Sequence, residues 1–195
     1  MKRRLFLKYL LATIGLMLIG WLAITVYVEQ KGPSKQWSLG SSTGKKALIV
    51  YDPDPFYNLD EQVCLSFGKA LAEQNMNVTV VTVAATDSIK TNSYHVLVYC
   101  ANTYNWRPDW SITSYIEERR ALTAPIVAIT LGAGSTATSQ RKFEQIITNA
   151  GGKILESYSL WLWRPNDSQK MDEPNVDVAV AMAYNWGKQI AGKIN

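Results

Sequence analysis

The sequence predicts an α/β domain built on a parallel sheet, with one membrane-spanning helix ahead of it. Between residues 46 and 195, short apolar runs alternate with amphipathic stretches of helical period, which is the pattern of repeated βαβ units. The runs are continuously apolar, as expected for strands that helices cover on both faces. A separate block of twenty uncharged residues, 9–28, precedes them all.

The N-terminal block has the length and the flanking residues of a membrane anchor. A helix over residues 9–28 is about 30 Å long, which matches the hydrocarbon thickness of a bilayer. Trp21 and Tyr27 lie toward its C-terminal end, where aromatic rings favour the membrane interface. The apolar run is long and no A-x-A site follows it, so we expect an uncleaved anchor rather than a signal peptide.

The charges around this block predict its orientation. Because positive charge stays on the cytoplasmic side of a membrane, residues 1–28 are predicted to be a cytoplasmic tail and transmembrane helix. The protein is then a single-pass protein of the cell membrane with an extracytoplasmic domain. The cations before the span are Lys2, Arg3, Arg4 and Lys8, and those closely after it are Lys31 and Lys35.

The remaining chain divides into a linker and a domain. Residues 29–45 contain Gly, Ser, Pro and Lys with little apolar content, which predicts a linker. Residues 46–195 form the α/β domain. Its predicted strands cover residues 47–51, 78–84, 95–100 and 126–131, and a fifth lies within 153–163. Its predicted helices cover residues 59–74, 111–122, 138–150 and 176–194.

Composition argues against several classes of function. The formal net charge is +4 and four cations lie at the extreme N-terminus, so the domain shows no basic stripe for nucleic acid. Cys64, Cys100 and the single His95 are too few for a zinc site or a histidine-based triad. We expect both cysteines to be buried free thiols. The alternative is a disulfide, which requires an oxidising compartment.

Three loops leave the carboxyl ends of strands, where open parallel sheets bind ligands. They cover residues 52–58, 101–110 and 132–137. The second contains TYNWRP at 103–108, which resembles the T-Y-x-G-x-P segment of flavodoxins with Trp106 in the glycine position. The third, LGAGS at 131–135, resembles the second flavin loop of that family, and NWGKQIA at 185–191 resembles its last helix. From Lys46 onward the chain is therefore similar to the flavodoxin family.

This resemblance implies a flavodoxin-like, doubly wound sheet of five parallel strands in the order 2-1-3-4-5. It also implies noncovalent FMN and electron transfer to a redox partner protein. The isoalloxazine would lie between the second and third loops, with Tyr104 and Trp106 as stacking rings, while the flavin supplies the chemistry. The alternative is that these rings cover the sheet end or contact a partner. The cofactor-binding residues that the resemblance implies are Tyr57, Asn58, Ala101, Asn102, Thr103, Tyr104, Asn105, Trp106, Gly132, Ala133, Gly134 and Ser135.

The first loop departs from the flavodoxin pattern. Flavodoxins carry a glycine- and hydroxyl-rich loop whose amides hold the phosphate, whereas this chain has DPDPFYN at 52–58. Pro53 and Pro55 lack N–H donors, and the carboxylates of Asp52 and Asp54 repel a phosphate. A second hypothesis is therefore a degenerate flavodoxin-like domain that serves as a binding or scaffold module without flavin.

The same acidic pair supports a third hypothesis. Asp52-x-Asp54 directly after an apolar strand resembles the nucleophile motif of haloacid-dehalogenase phosphatases, in which a carboxylate attacks phosphorus beside magnesium. That family also needs a later acidic pair, and Gly132-Ala133-Gly134-Ser135 stands at the fourth strand instead. The alternative role of Asp52 and Asp54 is turn formation and helix capping.

Overall fold

The fold is taken from a computed structural model, which describes residues 2–119 and 122–194. The chain forms two compact units, Met1–Gln30 and Lys31–Asn195. The first unit consists mainly of α1 (Lys2–Val28). Among the described residues α1 is the one helix long and apolar enough to cross a membrane.

The second unit is an α/β domain with a mostly parallel central sheet. The strand order is β1-β3-β2-β4-β6-β7, with β5 paired to β4. Its strands are β1 (Gln36–Gly40), β2 (Lys46–Tyr51), β3 (Asn77–Thr82), β4 (Val96–Tyr104), β5 (Arg107–Pro108), β6 (Pro125–Gly132) and β7 (Lys153–Trp161). Its helices are α2 (Leu59–Glu73), α3 (Trp110–Glu118), α4 (Ala137–Asn149) and α5 (Asn175–Ile194).

The five parallel strands confirm the predicted α/β fold, and the complete sheet has more strands than expected. Numbered by themselves along the chain, β3, β2, β4, β6 and β7 lie in the order 2-1-3-4-5. The prediction did not include β1, which adds an antiparallel strand at the edge beside β3. It also did not include β5, which forms a short hairpin with β4.

Strand β1 lies inside the segment that was expected to be a linker. Its side chains alternate between exposed and half-buried positions, and Trp37 stacks on Tyr51 with ring centroids 6.3 Å apart. This alternation is the mark of a strand with one covered face, and it was hidden among polar neighbours. Gln36 pairs with Val81 near the carboxyl end of β3, and Gly40 pairs with Asn77 at the other end of that strand.

Two apolar cores lie on the two faces of the sheet. The first includes Phe67 and Leu71 of α2 and Ile190 of α5, and the second includes Ile112 of α3 and Phe143 of α4. Cys64 and Cys100 are buried in the first core as free thiols. The predicted third helix differs most from the structure: α3 ends at Glu118, and residues 120–121 of the predicted span lie outside the described residues.

Helices α2 and α5 approach each other closely at Gly187. A Cβ added there would lie 2.6 Å from the Phe67 carbonyl oxygen and 2.8 Å from the Ala70 Cβ. Gly192, in the same helix, has open space in that direction. We predict that Gly187→Ala lowers the free energy of unfolding by about 1–3 kcal/mol. Gly192→Ala leaves it unchanged or raises it by up to about 1 kcal/mol.

Denaturant unfolding of the detergent-solubilised chain measures both effects. Equal stabilities for the two variants would contradict the close approach of α2 and α5 at Gly187.

Candidate functional site

The loops after β2, β4 and β6 and the segment after β7 lie at one end of the parallel sheet. We call this end the carboxyl rim and define it as residues 52–58, 101–110, 132–137 and 162–174. A parallel sheet brings these segments together because all its strands end on the same side. Hydrogen bonds between their side chains join them into one surface.

The carboxylate of Asp54 occupies the amides of its own loop. Its Oδ1 accepts hydrogen bonds from the backbone N–H groups of Phe56 at 2.7 Å and Tyr57 at 2.9 Å. Its Oδ2 accepts from the Tyr104 hydroxyl at 2.6 Å. Burial is the main cause that raises the pKa of Tyr104, and Asp54 adds to it, so the phenol stays a donor. The Asp54 carboxylate therefore occupies three donors, namely two backbone N–H groups of its own loop and one phenol hydroxyl.

A second carboxylate, that of Asp60, ties the first loop to β4. Its Oδ2 accepts from the Asp54 backbone N–H at 2.6 Å and from the Asn102 amide at 2.9 Å. Its Oδ1 accepts from the Glu61 N–H at 2.7 Å. Burial raises the pKa of Asp60 to about 7, against the opposing effect of these hydrogen bonds. The side chain is 1% exposed, so removal from water outweighs its donors.

Asn102 and Asp109 complete this polar network. The Asn102 side chain also donates to the Asp52 carbonyl at 3.0 Å, and its backbone N–H donates to Asp109 at 2.9 Å. The other oxygen of Asp109 accepts from the Ile112 N–H and caps α3. Asp52 accepts from the Gly32 N–H at 3.0 Å, and burial raises the pKa of its carboxyl.

Asp52 is only 4% exposed, so its carboxylate is turned inward. That arrangement favours turn stabilisation over nucleophilic attack. The geometry gives no support to the phosphohydrolase hypothesis.

The second loop is a hairpin rather than an open turn. Thr103 pairs with Pro108 and Tyr104 with Arg107. The two residues between them, Asn105 and Trp106, have positive φ angles of 48° and 58°. Positive φ at both central residues is the mark of a type I′ turn. The Trp106 ring is 61% exposed and Tyr104 is half-buried against the first loop.

The third loop packs closely against the second. A Cβ added at Gly132, the last residue of β6, would lie 2.8 Å from the Thr136 Cγ2 and 3.1 Å from the Cβ of Thr103 on the neighbouring strand β4. The carbonyls of Gly132 and Ala133 accept from the N–H groups of Leu162 and Trp163, both at 2.9 Å. The segment after β7 therefore covers the third loop.

Of the residues that the resemblance implied, some meet at the rim and others do not. Asn102 and Tyr104 join the first loop, whereas Ala101 lies in the ladder between β4 and β6. Asn58 accepts from its own helix, from the Gln62 amide at 2.7 Å. Tyr57 meets Trp163 edge-on with centroids 6.4 Å apart. The structure leaves Ala133 and Ser135 exposed, and a Cβ added at Gly134 would meet the Arg164 Cβ at 3.5 Å.

Sequence reasoning missed Asp60 and Trp163 as rim residues. Asp60 stands in the first turn of α2, where an acidic residue normally favours the helix dipole at the surface. Nothing in its spacing shows that it points inward to Asn102. Trp163 follows β7 in a polar segment, and its position beside Tyr57 depends on the sheet order.

The first loop does not fit the phosphate of FMN. A groove of about 320 Å³ lies there, lined by residues 54–59 together with Gln62, Leu162 and Val176. Two of its amides, those of Phe56 and Tyr57, are bonded to Asp54, and the adjacent Pro53 and Pro55 have no N–H to offer. A dianion in this groove would meet the carboxylate of Asp54, which already holds these two amides.

Comparison with known proteins identifies the fold. No family model matches the chain, and no curated protein matches it by sequence. Flavodoxin 2 from Bacillus cereus is similar with a TM-score of 0.58 and 14% identity, over 76% of this chain and 99% of that one. A flavodoxin from Pseudomonas aeruginosa is similar with a TM-score of 0.55 and 15% identity, over 76% and 98%.

A larger protein contains the same fold as one part. Rubredoxin oxygen:oxidoreductase from the anaerobe Desulfovibrio gigas has a TM-score of 0.58 and 12% identity, over 76% of this chain but 36% of that one. The chain therefore has a flavodoxin-like fold.

The raised pKa of Asp60 predicts a pH-dependent stability. Burial raises the pKa of Asp60 to about 7 in the folded chain, whereas an aspartate in contact with water, as in the unfolded chain, has a pKa of 3.8. The folded state therefore binds more protons between these values, so the free energy of unfolding falls as pH rises from about 4 to about 7. The slope contributed by Asp60 is at most about 1.4 kcal/mol per pH unit.

Urea unfolding at several pH values tests this expectation. Asp60→Asn should reduce the slope, although its absolute stability is lower because one accepted hydrogen bond is lost. An unchanged slope in that variant would contradict the buried carboxyl.

Proposed function

We propose that this protein is a membrane-tethered, flavodoxin-fold binding module that does not hold FMN. The observation that carries the proposal is the pairing of the Asp54 carboxylate with the amides of Phe56 and Tyr57. In a phosphate loop such amides must be free to meet the anion. Here the Asp54 carboxylate takes the place of the bound anion. The loop is therefore stabilised without a ligand.

Electrostatics support the same proposal. The side chains of Asp54, Asp60 and Asp109 lie in or beside the hydrogen-bond network around Asn102, and Asp52 joins it through its backbone carbonyl. Bringing an FMN phosphate into this group would add two negative charges at a site with little water to screen them. The dipole at the start of α2 opposes this repulsion, but only by a fraction of a charge.

FMN-dependent electron transfer is the second candidate function. The likeness in fold to flavodoxins favours it, and flat rings at the second loop suit an isoalloxazine. For an FMN phosphate to bind the amides of the first loop, Asp54 must leave its three donors. The candidate therefore requires a rearranged rim and a redox partner that the ring edge can reach.

A flavin titration decides between these two functions. We expect the full chain, purified in detergent, to be colourless and to leave the fluorescence and anisotropy of added FMN at the values of the free cofactor. Riboflavin, which lacks the phosphate, is the matched control and should also stay free because the second and third loops are in contact. Stoichiometric binding of FMN would overturn the proposal.

We further propose that α1 remains as an uncleaved anchor with the domain outside the cytoplasm. Its apolar run and the cations before it support this arrangement. Protease added to intact cells should then digest the domain, while mass spectrometry of the membrane fraction should find the intact N-terminal peptide. A mature chain that begins after α1, or a domain protected from protease, would contradict this arrangement.

A further inference from the structure

The exposed large apolar side chains of the domain cluster at one end. In the described part of residues 31–194, every large apolar side chain that is exposed lies in the carboxyl rim. Single exposed apolar residues are ordinary in soluble domains, but a set confined to one end marks an interaction surface. These side chains are Phe56, Tyr57, Trp106, Trp110, Trp163 and Met171.

The backbone under Trp106 is evidence that its ring has a use. Positive φ at this position of a two-residue hairpin favours glycine, and Asn-Gly is the preferred pair. The chain has Asn-Trp instead, with φ of 58° at the tryptophan. A bulky residue in this region is strained, yet Trp106 is 61% exposed and gains little from packing within its own domain. Strain of this kind is typical of functional positions.

The aromatic residues are held in place by the rigid rim. Trp163 is fixed through its backbone N–H to the Ala133 carbonyl at 2.9 Å, although its ring is 70% exposed. Tyr57 meets Trp163 edge-on. The Tyr104 hydroxyl bonds Asp54 and joins the hairpin that carries Trp106 to the loop that carries Tyr57. The three segments that carry Tyr57, Trp106 and Trp163 are therefore connected to one another.

The chain from α1 enters the domain at this same rim. Gly32 donates to Asp52, which directly follows β2, and Lys35 bonds Thr82 at the end of β3. Four residue steps separate Val28, the last residue of α1, from Gly32. An extended chain of that length reaches about 14 Å. If α1 spans a bilayer, the rim stays within a short distance of the membrane surface.

We propose that the carboxyl rim docks on the bilayer interface, with its tryptophan and tyrosine rings at the level of the lipid headgroups. This inference rests on the proposed function, because it requires α1 to be an anchor. Tryptophan and tyrosine favour the membrane–water interface. The tether holds the rim at an effective concentration of about millimolar or more, so weak interfacial contacts suffice. The lipid surface is the partner because the short tether keeps it permanently beside the rim.

Site-specific labels in reconstituted vesicles test the docking. The full chain carries a fluorescent label at Met171→Cys in the rim, or at Asn92→Cys, an exposed residue at the opposite end of the sheet. The control is the native chain without an added cysteine. Its buried Cys64 and Cys100 should not react with the fluorescent label. In phosphatidylcholine vesicles with a nitroxide on the headgroup, we expect the label at position 171 to be quenched several-fold more than the label at 92.

The variant W106G sharpens the test. Glycine at position 106 relieves the backbone strain of the turn, because glycine adopts positive φ freely. We therefore expect W106G to raise the midpoint of thermal unfolding. We expect the same variant to lower the quenching of the label at position 171, because the tryptophan ring is lost. A purely structural tryptophan would have the opposite effect on stability. Unchanged quenching in W106G, or equal quenching at positions 171 and 92, overturns the docking.

Flotation with the vesicles separates the two proposals. If the chain floats but the two labels are quenched equally, the anchor is supported and only the docking of the rim is contradicted. A chain that does not float has no anchor, and then both proposals fail.

Discussion

The buried carboxylate of Asp60 is the interaction on which the carboxyl rim depends. A carboxyl group that is removed from water costs free energy unless hydrogen bonds compensate, and here the donors come from the first loop, from α2 and from Asn102 of β4. The hydrogen bonds that Asp60 accepts therefore fix the spacing between the first and second loops. That spacing places Asp54 where it captures the Phe56 and Tyr57 amides and the Tyr104 hydroxyl.

The scaffold and the ligand site have separate physical origins. The parallel sheet and its two cores depend on apolar strands and amphipathic helices, and they give the flavodoxin-like fold. A fold does not by itself imply the cofactor of its relatives. At the rim, a few polar residues replace the free amides of a phosphate loop, and exposed rings lie around them. The edge strand β1 then brings the chain from α1 to the same end of the sheet.

Much of this fold could be predicted, because its signals are local. Apolar runs and helical periodicity located the five parallel strands and the helices. Strand β1 was not predicted, because only Trp37 and Leu39 are covered in an otherwise polar segment. The hairpin at Asn105 and Trp106 was not predicted, because tryptophan is unfavourable at the positive φ that this turn requires. The partner of Asp60 could not be predicted because Asn102 is distant in sequence.

The most direct test of this account is an amide NMR spectrum of the full chain in micelles during titration with FMN. We predict that the Phe56 and Tyr57 amide signals lie downfield, as expected for hydrogen bonds to a carboxylate, and that FMN does not move them. Saturable shifts of these two amides with FMN would show that the ligand displaces Asp54, and would contradict the closed loop.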